Sequence, residues 1–100
     1  MPRVKLRVNY WLSEDFQDAS NGVKEMSMLV PEAESIFEMI CRLAEKDDIF
    51  RKAVFDEKNQ MIQTNVVVIL NGRIVNPYER SEATLKEGDE VTLLPMMYGG

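Results

Sequence analysis

Histidine is absent from this chain of 100 residues, and cysteine occurs once, at Cys41. The first absence removes imidazole general bases, Ser-His triads and His-ligated metals together. A single thiol excludes an intramolecular disulfide and any cysteine cluster for zinc or iron and sulfur, a usage that suits a reducing cytoplasm. Long apolar runs are lacking too. None approaches the roughly 20 residues of a membrane span, and the opening Met-Pro-Arg-Val-Lys has no apolar core of a secretion signal, so a cytoplasmic location with no membrane partner is expected. Positive charge is in deficit, with Lys plus Arg at 12 against Asp plus Glu at 17, a net charge of −5. Binding nucleic acid needs a basic face that displaces counterions, so that class of partner is not expected. With 45% hydrophobic residues, a chain of this length buries about 60 to 65% of its unfolded surface, enough for one core and too little for an elaborate enzyme.

What is present is well punctuated. Gly22, Gly72 and Gly88 stand in turn-like contexts, and Pro2, Pro31, Pro77 and Pro95 fall between patterned segments. Residues 3–12 alternate apolar Val4, Leu6, Val8, Tyr10 and Leu12 with polar neighbours, the period of a half-buried strand. Asn21-Gly22 favours a hairpin turn, which predicts an antiparallel partner over Val23 to Val30. Ser35 and Glu38 have capping-box spacing ahead of Ile36, Met39, Ile40, Leu43 and Ala44, so a helix is expected from Ser35 to about Lys46. Asp47-Asp48 can cap a further turn through Ala53, and Phe55 with Met61-Ile62 flanks a small hairpin. Val66 to Leu70 reads as a strand covered on both faces or deep in a sheet. Asn71-Gly72 turns it into Arg73 to Val75, and Val91 to Leu94 is the last strand, stopped by Pro95. One sheet with one main helix is an α+β architecture.

Candidate chemistry is sparse. Glu32, Glu34, Glu38 and Glu45, with Asp47 and Asp48, read as a solvated helix face. No glycine-rich phosphate loop occurs. Cys41 falls about 120° from the centre of the helix stripe at 100° per residue, where a half-buried structural thiol is expected. The terminal Met96-Met97-Tyr98-Gly99-Gly100 has neither periodicity nor a turn, and is expected to project; five extended residues reach about 16 Å. Paired glycines also end chains by chance, as a frayed terminus. Yet residues without Cβ atoms thread a narrow channel, and an α-carboxylate of pKa about 3.3 to 3.7 is an ionised oxygen nucleophile at neutral pH.

Val-Ile-Leu-Asn71-Gly72-Arg, then Leu85-Lys-Glu-Gly88-Asp-Glu90-Val-Thr-Leu-Leu-Pro95, then Gly99-Gly100, resembles the MoaD/ThiS family of ubiquitin-like sulfur carriers. The likeness covers nearly the whole chain. It differs in Met96-Met97-Tyr98, where the family often has a second proline and small residues, and in a longer segment from Asp47 to Asn65. The resemblance implies a β-grasp domain over residues 1–95, a mixed sheet packed against one main helix with first and last strands parallel at its centre, followed by a reactive tail over 96–100.

The resemblance also implies a function. A ubiquitin-activating-type adenylating enzyme would use ATP to adenylate Gly100, with Gly99 as its steric requirement. A sulfur donor would leave a thiocarboxylate there, and a molybdopterin synthase large subunit would receive the tail. The chain would be the non-catalytic, sulfur-carrying subunit, binding no cofactor and no metal itself. Alternation turns Arg7, Asn9, Trp11, Thr92 and Leu94 outward, so Trp11, Ile74 and Leu94 are the expected partner-binding residues of the open sheet face, with Met96, Met97 and Tyr98 beside the tail. A ubiquitin-like modifier conjugated through the same Gly-Gly, a sulfur carrier for thiamine or another pathway, and a β-grasp binding module remain as alternatives.

Overall fold

The computed structural model describes residues 1–9 and 23–95. Seven strands and three helices follow in order: β1 (Arg3–Asn9), β2 (Val23–Leu29), α1 (Ile36–Lys46), α2 (Asp48–Val54), β3 (Phe55–Asp56), β4 (Met61–Ile62), β5 (Val66–Leu70), β6 (Arg73–Ile74), α3 (Arg80–Ala83) and β7 (Glu90–Pro95). Five strands form one sheet in the order β2-β1-β7-β5-β6, and β3 with β4 makes a separate hairpin. β1 and β7 run parallel at the centre, with Leu6 beside Val91 and Val8 beside Leu93, while every other pair is antiparallel.

Alternation along the central strands sends Val4, Leu6, Val8, Val91 and Leu93 to one face, all essentially inaccessible. There they meet Ile36, Met39, Ile40 and Ala44, the apolar stripe of α1. Full burial of such a side chain contributes about 1.5 to 3 kcal/mol each, so this interface dominates stability. The helix starts where the capping box lies: Ser35 Oγ accepts from the Glu38 amide at 3.2 Å, and Glu38 Oε1 accepts from the Ser35 amide at 3.0 Å. Asp47 caps α2 in turn, its Oδ1 accepting from the amides of Ile49 and Phe50.

The structure refines several expectations. Of the two readings of Val66 to Leu70, a place inside the sheet holds, since β5 lies between β7 and β6, and cover on both faces does not: Val68 is buried, with Val66 and Leu70 packed against the core, while Val67 and Ile69 lie half-buried on the other side. Asn9 keeps the outward side of β1 by alternation, but it is only 8% exposed. Glu34 is 8% exposed and not part of a solvated face; Arg42 donates two hydrogen bonds to it. The turn α3 carries no periodic signal and was not expected. The Asn21-Gly22 turn and the inward placement of Tyr10 fall outside the described residues. No described helix is long and apolar enough to cross a membrane.

Candidate functional site

Asn71 and Gly72 adopt φ of +51° and +85°, as a two-residue hairpin turn of the primed type requires, which sets Leu70 opposite Arg73 and Ile69 opposite Ile74. The same Asn71 clips the turn to the start of β7. Its amide donates to the Glu90 carbonyl at 2.8 Å, its Oδ1 accepts from the Glu90 amide at 2.9 Å, and its Nδ2 donates to Asp89 Oδ1 at 3.0 Å. Asp89 Oδ2 accepts from the Lys86 amide, and the Asp89 carbonyl accepts from the Lys5 amide. β7 is thereby fixed at its beginning by three separate segments. Its other end, Leu94-Pro95, leads directly into Met96 to Gly100.

Register then assembles a patch on the sheet face opposite the helix. Leu94 faces Val67 across β7 and β5, Ile69 faces Thr92, and Ile74 faces Ile69 across β5 and β6. Leu94, Val67, Ile69 and Ile74 thus form a diagonal apolar band, with Ile74 75% exposed. On the β1 side Arg7 lies beside Thr92 and pairs with Glu25 at 3.5 Å. An apolar band that a monomer leaves in contact with water is the ordinary mark of a partner surface. Of the expected partner-binding residues, Ile74 and Leu94 are brought onto this one face. Trp11, Met96, Met97, Tyr98, Gly99 and Gly100 lie outside the described residues. Val67 and Ile69 were missed; the signal that would have found them is the Asn71-Gly72 register, which places Ile69 on the same face as Ile74.

Among the described residues no group of three or more Cys, Asp or Glu could hold a metal ion. Cys41 is half-buried on α1, and burial first, then the charges of Glu45 and Glu38, pushes its thiol up from the usual cysteine value. A thiol so shifted stays protonated and is a poor nucleophile at neutral pH.

Solved structures share this fold. No curated protein matches the chain. Among solved structures, small archaeal modifier protein 1 from Haloferax volcanii superposes with a TM-score of 0.71 at 18% identity, over 98% of this chain and 99% of that one. The putative molybdopterin converting factor subunit 1 from Pyrococcus furiosus superposes with a TM-score of 0.61 at 25% identity, over 97% and 100%. Small archaeal modifier protein 1 from Methanosarcina acetivorans gives 0.61 at 22% identity, over 100% and 98%. The family model described as the ThiS family matches residues 16–100. The family match over residues 16–100, together with the sheet order, the central parallel pair and helix α1 among the described residues, shows that the chain belongs to the ThiS family and has the ubiquitin-like β-grasp fold of sulfur carriers.

Proposed function

We propose that this protein is the sulfur carrier of molybdopterin synthesis, acting as the small, non-catalytic subunit of the synthase. The observation that carries the reading is a family match running through Gly99-Gly100, on a domain whose final strand is anchored at its start and delivers its end beside an apolar face. In this reading the carboxylate of Gly100 attacks the α-phosphorus of ATP on an adenylating enzyme, and pyrophosphate leaves. A sulfur donor then displaces AMP and leaves a thiocarboxylate. The synthase large subunit takes the tail, with Gly99 passing a narrow channel and Met96, Met97 and Tyr98 buried beside it. Leu94 and Ile74, and with them Trp11, seat the domain on its partners. The full-length likeness to a putative molybdopterin converting factor subunit favours this pathway over sulfur delivery to thiamine.

A second reading has its own support. Two modifier proteins are among the structural neighbours, and a modifier passes the activated Gly100 to a lysine amine through the same tail. One experiment separates the two. The chain is expressed in its native host with an N-terminal tag, with and without Gly100. The carrier reading expects a noncovalent complex with a synthase subunit, an intact mass raised by the difference between sulfur and oxygen, and loss of molybdopterin on deletion of Gly100. A ladder of isopeptide conjugates with normal molybdopterin levels reverses the order of the two readings.

A further inference from the structure

A second surface lies at the far end of β7 from the tail. Between the outer edge of β6 and the α3 turn there is a cleft of about 630 Å³. Its floor is apolar: Leu70 and Val75 are packed against the core, and Ile74 stands at the rim. Two cations border it, Arg73 and Lys86. Neither has an ion-pair partner among the described residues. The third cation of the lining, Arg80, is already held by Glu38 at 2.7 Å and by the Ala33 carbonyl at 3.2 Å. Of the two carboxylates, Asp89 accepts from Asn71 Nδ2 and from the Lys86 amide, which leaves Glu82 as the uncommitted anion. The cleft therefore offers two free positive charges against one negative, on a chain of net charge −5.

The backbone adds a directional feature. Among the described residues β6 ends the sheet and pairs only with β5. Val75 donates its amide inward to the Val68 carbonyl at 3.1 Å, and Arg73 is paired with Leu70. In an antiparallel ladder alternate residues point their amide and carbonyl to opposite sides, so those of Ile74 face the free edge, along the cleft.

We propose that this cleft docks an extended, acidic segment of a partner protein, added to β6 as a further strand. The segment's backbone pairs with the Ile74 amide and carbonyl, one apolar side chain covers Leu70 and Val75, and carboxylates on either side meet Arg73 and Lys86. An isolated phosphate or a nucleotide would use the two cations but leave the donor and acceptor of Ile74 unmatched, whereas a peptide backbone satisfies both; this is strand addition at a sheet edge. The proposal does not depend on the carrier reading. The cleft adjoins Asp89, at the opposite end of β7 from Pro95, and shares Ile74 with the apolar band, so a partner here would compete for that residue with one seated on the band.

The test uses the full chain labelled with nitrogen-15 and titrated with the peptide acetyl-Asp-Ile-Val-Val-Glu-amide, the control being the same peptide with lysines for both acids. Saturable amide shifts are expected at Arg73, Ile74, Val75 and Lys86, with the lysine peptide weaker by about tenfold or more. The double variant Arg73→Glu, Lys86→Glu alters only exposed side chains and should lose the acidic peptide by a similar factor. Ile74→Pro removes an amide that faces away from the sheet, a change edge strands tolerate, and should also abolish binding. The proposal is overturned by the absence of saturable shifts at millimolar peptide, by equal response to both peptides, or by shifts centred on Thr92 and Leu94 instead.

Discussion

Arg42 grips Glu34 with a two-pronged fork, Nε to Oε1 at 3.0 Å and Nη2 to Oε2 at 2.9 Å, where the Glu34 side chain is nearly buried and the Arg42 side chain 29% exposed. The hydrogen bond to Glu34 holds the Arg42 guanidinium above its ordinary value. The main chain of Glu34 is equally occupied. Its carbonyl accepts from the Leu85 amide at 2.8 Å, next to a bridge between Ser35 and Thr84. The fork therefore ties the second turn of α1 to the segment that feeds β7.

Removing one partner strands the other. Arg42→Ala leaves an unpaired carboxylate in a nearly buried site and should destabilise the domain by about 1 to 3 kcal/mol, below the range for a fully buried pair because Arg42 is partly solvated. The apolar double variant Glu34→Leu, Arg42→Met should recover most of that loss. Urea unfolding measures both, and a single variant as stable as the parent would show that the fork contributes nothing.

Asn71 combines a positive φ with three hydrogen bonds to the start of β7. Asn71→Gly keeps the backbone but loses the side-chain clip, and Asn71→Ala loses both. Losses of about 1 kcal/mol for the glycine variant and about 2 kcal/mol for the alanine variant are expected. In a domain of this size each kcal/mol lowers Tm by roughly 4 to 8 °C. Equal Tm values for the two variants would mean that the left-handed backbone carries no cost here.

The Glu38 carboxyl lies below its ordinary value, chiefly through the hydrogen bond from the Ser35 amide and further through Arg80, with burial opposing. A folded value below the unfolded one contributes stability above the unfolded pKa, and that contribution is lost as pH falls below about 4.3 and through the lowered folded value. Ser35→Ala should cost about 1 kcal/mol at neutral pH. The Tm gap between the parent and Glu38→Gln should narrow as pH is lowered from about 7 to about 3. A gap that stays constant across that range would remove Glu38 as the titrating group.

The apolar band predicts partner binding that is lost without loss of fold. Leu94→Ala and Ile74→Ala should each weaken association with the adenylating enzyme or synthase subunit by about 1 to 4 kcal/mol if they are central to the contact. Calorimetry on folded variants reads this directly. Unchanged affinity in both moves the interface off this face.

Elements written in local pattern were legible in the sequence, and those that depend on distant partners were not. Ser35 with Glu38 announces the start of α1, Asp47 announces α2, and Asn71-Gly72 announces a hairpin, because each involves neighbours a few residues apart. The parallel pairing of β1 with β7 came only from the family resemblance, since alternation says nothing of strand order. Val66 to Leu70 shows how a pattern misleads. Its apolar run fits either cover on both faces or a place inside the sheet, and only the second holds, with Val67 and Ile69 apolar on a face this domain leaves half-open. Glu34 could not be told from its solvated neighbours, because Arg42 reaches it only after both are placed on the folded chain.

The parallel pair at the sheet's centre also sets a clock. Lys5 lies beside Glu90, a separation of 90 − 5 = 85 residues, so the central hydrogen bonds form only after nearly the whole chain has closed into a loop. Contacts of such range slow folding relative to a helical bundle and leave few routes by which the centre can open alone. The amides of Arg7 and Val91, which by alternation lie in this parallel ladder, are thus expected to exchange with solvent late, by global unfolding, so that force applied beyond Pro95 is transmitted straight to a strand whose hydrogen bonds are slow to break.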